Sequence, residues 1–224
     1  MIHPTSVVET KRIGSNVYIG PFVYISKRVI IEDNCKIFAH ASIGAPAQYK
    51  QPRFEDEGKP IIIGAGTEIR EFVTINLPTY GETKVGRNCF LMANVHIPHD
   101  CEVGHDVIFA VGTAIGGRSR IGNYCYFGLN CSVHNRSIIG DYTMIGAGSF
   151  FKGDSGVGLV WAGVPARPIK VNKVGIKRYA PPNIQDKILQ QAQELFEKIS
   201  KGVENEFCTY WCCRLYSSST YESY

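Results

Sequence analysis

From Val85 to Val157 a branched aliphatic or Phe returns at every sixth residue without a miss, and no other feature constrains the fold of this chain so tightly. The positions are Val85, Leu91, Ile97, Val103, Phe109, Ile115, Ile121, Phe127, Val133, Ile139, Ile145, Phe151 and Val157. Such side chains make up roughly a quarter of an ordinary domain, so an unbroken run of this length is not a chance arrangement. A period of six matches neither an amphipathic helix nor a simple alternating strand. It matches a coiled sheet in which every short strand supplies one inward aliphatic.

The other columns of the repeat agree. Gly follows the aliphatic at Gly86, Gly104, Gly116, Gly122, Gly128, Gly140, Gly146 and Gly158, where a chain turning a corner is expected to need unrestricted backbone angles. Four residues past the aliphatic stands a small or β-branched side chain, from Cys89 and Val95 through Thr113 and Ser119 to Thr143 and Ser149. The expected fold is therefore all-β: a parallel β-helix with three six-residue faces per turn, so that residues eighteen apart stack.

The repeat begins with Ile2 and Val8, slips by one residue, and runs Ile13, Ile19, Ile25, Ile31, Ile37 and Ile43. Two interruptions are expected to be loops, at 45–60 and 77–84, because they lack the aliphatic column and carry prolines and charges. Closely spaced Gly and Pro between Ala162 and Ile169 are expected to stop the solenoid. Ile184, Ile188, Leu189, Leu195, Phe196 and Ile199 then form an apolar stripe at helical spacing, between a Pro181-Pro182 start and a Gly202 stop. The expected organisation is a β-helix over 1–169, a short C-terminal helical segment over 170–202, and a tail over 203–224 without usable periodicity, read as disordered.

Composition excludes little but bounds the partners. The formal net charge is +4 with 20% charged residues, so nothing demands nucleic acid. No apolar run approaches the ~18 residues of a membrane span, and the first residues lack the pattern of a signal peptide, which predicts a cytoplasmic protein. Of eight cysteines, Cys35, Cys89, Cys101, Cys125 and Cys131 occupy the small interior column. They are expected to be buried, reduced thiols rather than disulfides or metal ligands, and no tightly bound metal or cofactor is expected. Cys208, Cys212 and Cys213 fall in the tail.

Two segments carry chemistry: Ile69-Arg70-Glu71-Phe72-Val73-Thr74-Ile75-Asn76, and Leu91-Met92-Ala93-Asn94-Val95-His96-Ile97-Pro98-His99-Asp100-Cys101. Together they resemble the acyl-carrier-protein-dependent UDP-N-acetylglucosamine O-acyltransferases of lipid A synthesis, over about residues 2 to 178. The resemblance implies a left-handed coil and a homotrimer with active sites in grooves between subunits. It also implies a phosphopantetheine thioester donor, from an acyl carrier protein or coenzyme A, and a nucleotide-sugar acceptor. His99 is the implied general base and Asp100 its partner. His96, His134, Asn135, Asn76, Asn172 and Arg178 are implied groove or ligand-binding residues.

Residue chemistry supports the same corner. Imidazole suits proton removal near neutral pH, and His99, two residues past the inward Ile97, is expected to project from the coil. Gly116 and Gly117 lie eighteen residues beyond Pro98 and His99, so their N–H groups are expected to be bare and able to hold a thioester oxygen. Arg118 stacks over Asp100 and stands where the resembled family has a further groove His. Other departures are Gln48-Tyr49-Lys50-Gln51 in place of that family's Asp-x-Lys loop, and Val174 in place of Glu. Gly163-Val164-Pro165-Ala166-Arg167-Pro168 instead resembles the closing turn of acetyl-CoA-dependent sugar acetyltransferases. Between Arg118 and Arg178 nine Lys or Arg face two acids, a strip suited to phosphates or an acidic carrier protein, with Arg167 and Arg178 expected along the donor groove.

The leading expectation is an acyltransferase acting on the hydroxyl or amine of a nucleotide-linked sugar. Three alternatives stay open at this point. They are an acetyl-CoA-dependent N-acetyltransferase without an essential base, a zinc hydratase using His96, His99 and His105, and a non-catalytic trimeric scaffold.

Overall fold

The computed structural model describes residues 1–48 and 58–201. Most of the expected 45–60 loop, including Tyr49, Lys50 and Gln51, and also Gly202 and the whole 203–224 tail with its three cysteines, lie outside the described residues. Within them the chain is a parallel β-helix. Strands, all but the last two of them two to four residues long, stack into an eight-stranded, a six-stranded and a nine-stranded sheet, and up to that final pair consecutive strands pass to successive sheets. Leu91 pairs with Phe109 and Phe109 with Phe127, eighteen residues apart. The slip near the start is real: Val8 pairs with Ile25 and Ile2 with Ile19, seventeen apart, before Ile13 meets Ile31.

The aliphatic column is the core. Ile19, Ile25, Ile37, Ile43, Ile69, Ile75, Leu91, Ile97 and Ile145 have no exposure at all, and each buried member contributes about 1.5–3 kcal/mol relative to exposure. Phe109 and Phe127 stack with ring centroids 4.7 Å apart. The small column lies inside as expected, with Cys35, Cys89, Cys101, Cys125 and Cys131 all buried and free. Val157 breaks the rule, being 37% exposed. The six-residue frame ends at Phe151, and Trp161 takes the slot against Ile145, sixteen residues on.

The glycine column has a different cause from the one expected. Of its members only Gly158 has positive φ. At the others, Gly146 apart, the next coil comes too close for a side chain: a Cβ on Gly86 would sit 2.2 Å from Gly104 O, and one on Gly128 2.4 Å from Ala147 N. Left-handed backbone falls instead at a different corner residue, where fourteen non-glycine residues have φ between 52° and 63°. Asn and Asp, which tolerate that region, fill half of these corners. The aromatic ones form ladders: Phe22, His40 and Phe72 stack at 5.1 and 5.0 Å, and Tyr124 stacks on Tyr142 at 5.3 Å and Tyr179 at 5.5 Å.

Where Gly and Pro were expected to stop the solenoid, the chain adds a hairpin that the sequence reading did not contain. Leu159–Gly163 and Ala166–Val171 form an antiparallel hairpin on the end of the nine-stranded sheet. Pro168 is tolerated there because the returning strand is an edge. A short helix α1 (Lys173–Tyr179) buries Ile176, and helix α2 (Pro182–Ser200) follows as the stripe predicted. Ala192 is buried and Leu195 lies over Gly156, so α2 covers the end of the solenoid. No helix among the described residues is long and apolar enough to cross a membrane.

Candidate active site

The strand His96–Ile97 belongs to the eight-stranded sheet, and the chain turns at Pro98-His99-Asp100 into Glu102–Val103 of the six-stranded sheet. Ile97 points inward, which fixes His99 and Asp100 at the corner. His99 does not simply project into solvent, since its side chain is only 16% exposed and that of Asp100 6%.

The cover comes from the second interruption, which is shorter than expected because Thr83 and Lys84 are already strand. Its residues converge on Asp100. Oδ1 accepts from the backbone N–H groups of Thr79 (3.0 Å), Tyr80 (3.0 Å) and Gly81 (2.7 Å). Oδ2 accepts from the Thr79 hydroxyl and from His99 Nδ1 at 2.8 Å. Asp100 N in turn donates to Thr83 Oγ1 at 2.9 Å. Burial by itself would raise the Asp100 pKa, but the bonds from His99, Thr79, Gly81 and Tyr80 outweigh it and hold the carboxyl far below the usual carboxylate range.

This network decides the histidine tautomer. Because Asp100 is a carboxylate, it accepts the Nδ1 proton and leaves the Nε2 lone pair as the basic site. Nε2 faces Gly117, where a Cβ would stand 2.8 Å from it, so only glycine leaves room for the ring in this position. The Gly117 N–H has no hydrogen-bond acceptor among the described residues, whereas Gly116 N is spent on Val133 O at 2.8 Å. The expected pair of bare amides is thus one amide, at Gly117.

His96, one coil position before the corner, is half-buried, and its Nδ1 meets Thr74 Oγ1 at 2.7 Å. Burial first, and the neighbouring His99 second, push its pKa down, which keeps the ring neutral. Arg118 donates its backbone N–H to His99 O at 3.1 Å. Its Nε lies 3.8 Å from Asp100 Oδ2 and its guanidinium 5.4 Å over the Tyr80 ring. On the next coil His134 and Asn135 are exposed, with His134 Nδ1 donating to Asn135 O at 3.2 Å.

Two expected binding residues do other work. Asn76 is 3% exposed and its amide donates to Ala45 O and Pro46 O, fastening one loop mouth to the next coil. Asn172 caps α1, accepting from Gly175 N and donating to Tyr142 O. Arg167 and Arg178 are exposed, but they do not join the His99 corner. Arg167 sits in the terminal hairpin, and Arg178 precedes Tyr179, which packs at the corner between the six- and nine-stranded sheets. Among the described residues no three His, Cys, Asp or Glu gather closely enough to hold a metal ion. His105, the third imidazole of the zinc reading, accepts from Arg87 N at a separate corner.

The Asp100 anchorage is what sequence reasoning missed. Its donors are mostly backbone N–H groups, which no residue letter announces. The only available signal was a short Thr-Tyr-Gly loop ending one coil below an Asp.

A family described as bacterial transferase hexapeptide, with six repeats, matches residues 10–45 and 82–117. An acyl-[acyl-carrier-protein]–UDP-N-acetylglucosamine O-acyltransferase from Halorhodospira halophila is 34% identical over 201 residues, covering 80% of this chain and 77% of its own length. The Neisseria gonorrhoeae protein of the same description is 36% identical over 132 residues, 49% of this chain and 50% of that protein. The chain thus spans about half the length of several of the curated relatives it matches. The solved UDP-N-acetylglucosamine acyltransferase from Campylobacter jejuni superposes with a TM-score of 0.72 at 28% identity, covering 88% of this chain and 85% of that one.

Proposed function

Because the chain belongs to the acyl-[acyl-carrier-protein]–UDP-N-acetylglucosamine O-acyltransferase family, we infer that it moves an acyl group from an acyl-carrier-protein thioester to a hydroxyl of UDP-N-acetylglucosamine or a close nucleotide sugar. The observation that carries this reading is the His99–Asp100 pair, 2.8 Å apart, with its basic nitrogen turned toward Gly117.

In the proposed step the acceptor hydroxyl gives its proton to His99 Nε2 as its oxygen bonds to the thioester carbon. Asp100 steadies the imidazolium that forms. The Gly117 N–H donates to the developing oxyanion. When the intermediate collapses the carbon–sulfur bond breaks, and the leaving thiolate takes the proton back from Nε2. A hydroxyl needs such a base far more than a free amine does, and this favours ester over amide formation.

Arg167 and Arg178 stand away from the His99 corner of the same chain. The proposed homotrimer would bring a neighbour's C-terminal end to that corner and complete a groove for the donor's phosphopantetheine. The test is product analysis after mixing the chain with acyl carrier proteins of different acyl length and UDP-N-acetylglucosamine or, in competition with it, a uridine diphosphate sugar that carries a free amine. A product heavier by one acyl group and cleaved by mild base supports the reading. A base-stable amide, or no product with any acyl donor, contradicts it.

A further inference from the structure

Bulky residues in left-handed backbone are costly unless something holds them there. In this chain Phe22, His40, Phe72, Tyr124 and Tyr142 occupy such corners within aromatic ladders. Two arginines do the same without a ladder. Arg118 (φ 63°) and Arg136 (φ 61°) follow one another on successive coils of the corner that begins with Asp100.

Their backbones are bonded in register, Arg118 N to His99 O and Arg136 N to Gly117 O. The two Cα atoms are therefore about 5 Å apart, the spacing of neighbouring strands. Arg136 is exposed and makes no side-chain hydrogen bond or ion pair among the described residues. Among the described residues the acid paired with Arg118 is Asp100, whose oxygens already hold five donors; at 3.8 Å Nε is beyond hydrogen-bond reach, and the guanidinium otherwise lies over the Tyr80 ring. Two like charges on adjacent coils repel. Their forked donors suit an anion that accepts from both.

On the reading that this is a sugar-nucleotide acyltransferase, we propose that Arg118 and Arg136 form a cradle for the acceptor's diphosphate. Distance separates this from the donor's phosphate. The free hydroxyls of the sugar lie only five or six bonds from the first phosphorus, roughly 5–8 Å, whereas a pantetheine thioester carbon is some fourteen bonds from its phosphate, roughly 15 Å or more when extended. Arg118 begins one residue past Gly117, which lies against the His99 ring, and Arg136 stands one coil further on. A phosphate there is within one or two coil spacings, about 5–10 Å, of the reacting atoms. That is the reach of the acceptor and too short for an extended donor.

The test uses Arg118→Met, Arg136→Met and Arg136→Lys in the full chain, with calorimetric titration of uridine diphosphate and, separately, coenzyme A. Each Met variant is expected to weaken uridine diphosphate about ten-fold or more, with a shallower dependence on salt. Arg136→Lys should fall in between, and coenzyme A binding should stay within about two-fold. In turnover assays the acceptor KM should rise by the same factor while the donor KM holds. Loss of coenzyme A binding instead, or unchanged uridine diphosphate binding in both Met variants, overturns the cradle. If wild-type chain binds uridine diphosphate through these arginines yet forms no acylated product, the cradle stands and the acyltransferase reading fails.

Discussion

Replacing Asp100 by Asn keeps the shape of the side chain and removes only its charge and one acceptor. Oδ1 can still accept from Thr79, Tyr80 and Gly81, so the new amide NH2 must take the place of Oδ2, facing the Thr79 hydroxyl and His99 Nδ1. Both groups are donors toward Asp100 in the wild type. Hydrogen bonds to a charged acceptor are worth about 1.5–3 kcal/mol against about 0.5–1.5 for neutral ones. Losing the charge on this fivefold-bonded carboxylate therefore costs about 2–4 kcal/mol. For a domain of this size that lowers Tm by roughly 5–15 °C. The catalytic effect is larger. To avoid two opposed N–H groups, His99 must carry its proton on Nε2 and accept at Nδ1, which removes the base, and kcat falls by about 10²–10⁴. The assay pairs steady-state turnover with calorimetric melting, and Asp100→Ala serves as comparator, with a greater loss of stability because three loop amides lose their acceptor. An Asp100→Asn enzyme that keeps more than about one-tenth of wild-type turnover refutes the tautomer argument. An unchanged Tm refutes the anchoring of the loop.

The same carboxylate sets an acid limit: its pKa is depressed on folding, so its contribution is complete above the unfolded value near 4 and is lost as pH falls below it. The Tm gap between wild type and Asp100→Asn should be full at pH 7 and shrink by pH 3, and a constant gap contradicts this. Burial pushes the thiols of Cys89 and Cys131 up to about 11 and those of Cys101 and Cys125 up to about 12. Iodoacetamide at pH 8 should leave these four unmodified in native protein and label them in denaturant, as read by peptide mass spectrometry; native labelling would mean that the core opens. Light scattering at micromolar concentration should give the mass of three chains, and a fully active monomer would rule out a site shared between subunits.

The β-helix was legible because one inward side chain per strand leaves a six-residue rhythm that even the seventeen-residue first coil keeps visible. Val157 shows the limit: a chance aliphatic on the beat cannot be told from a buried one, and Trp161, off the beat, fills the core instead. The glycines were placed correctly but misexplained, because close approach between coils is a three-dimensional property. That His99, Asp100 and Gly117 meet at one corner was legible through a short motif and the eighteen-residue stack. Asn76 and Asn172 were not, since an amide that caps a helix or fastens a loop is spelled the same as one that binds a ligand. The Asp100 anchorage and the Arg118–Arg136 column required geometry, the first because its donors are mostly main-chain, the second because only the structure shows that neither guanidinium makes a side-chain hydrogen bond among the described residues.

The central claim rests on His99, and His99→Ala tests it most directly, in the ester-forming assay with acyl carrier protein donor and UDP-N-acetylglucosamine. Turnover should fall by about 10²–10⁴ while assembly and coenzyme A affinity stay close to wild type and Tm falls by no more than the Asp100→Asn shift, since only one of the five bonds to Asp100 is lost. A fall of less than about ten-fold, with protein that is folded and assembled, would contradict the account and remove His99 from the base role.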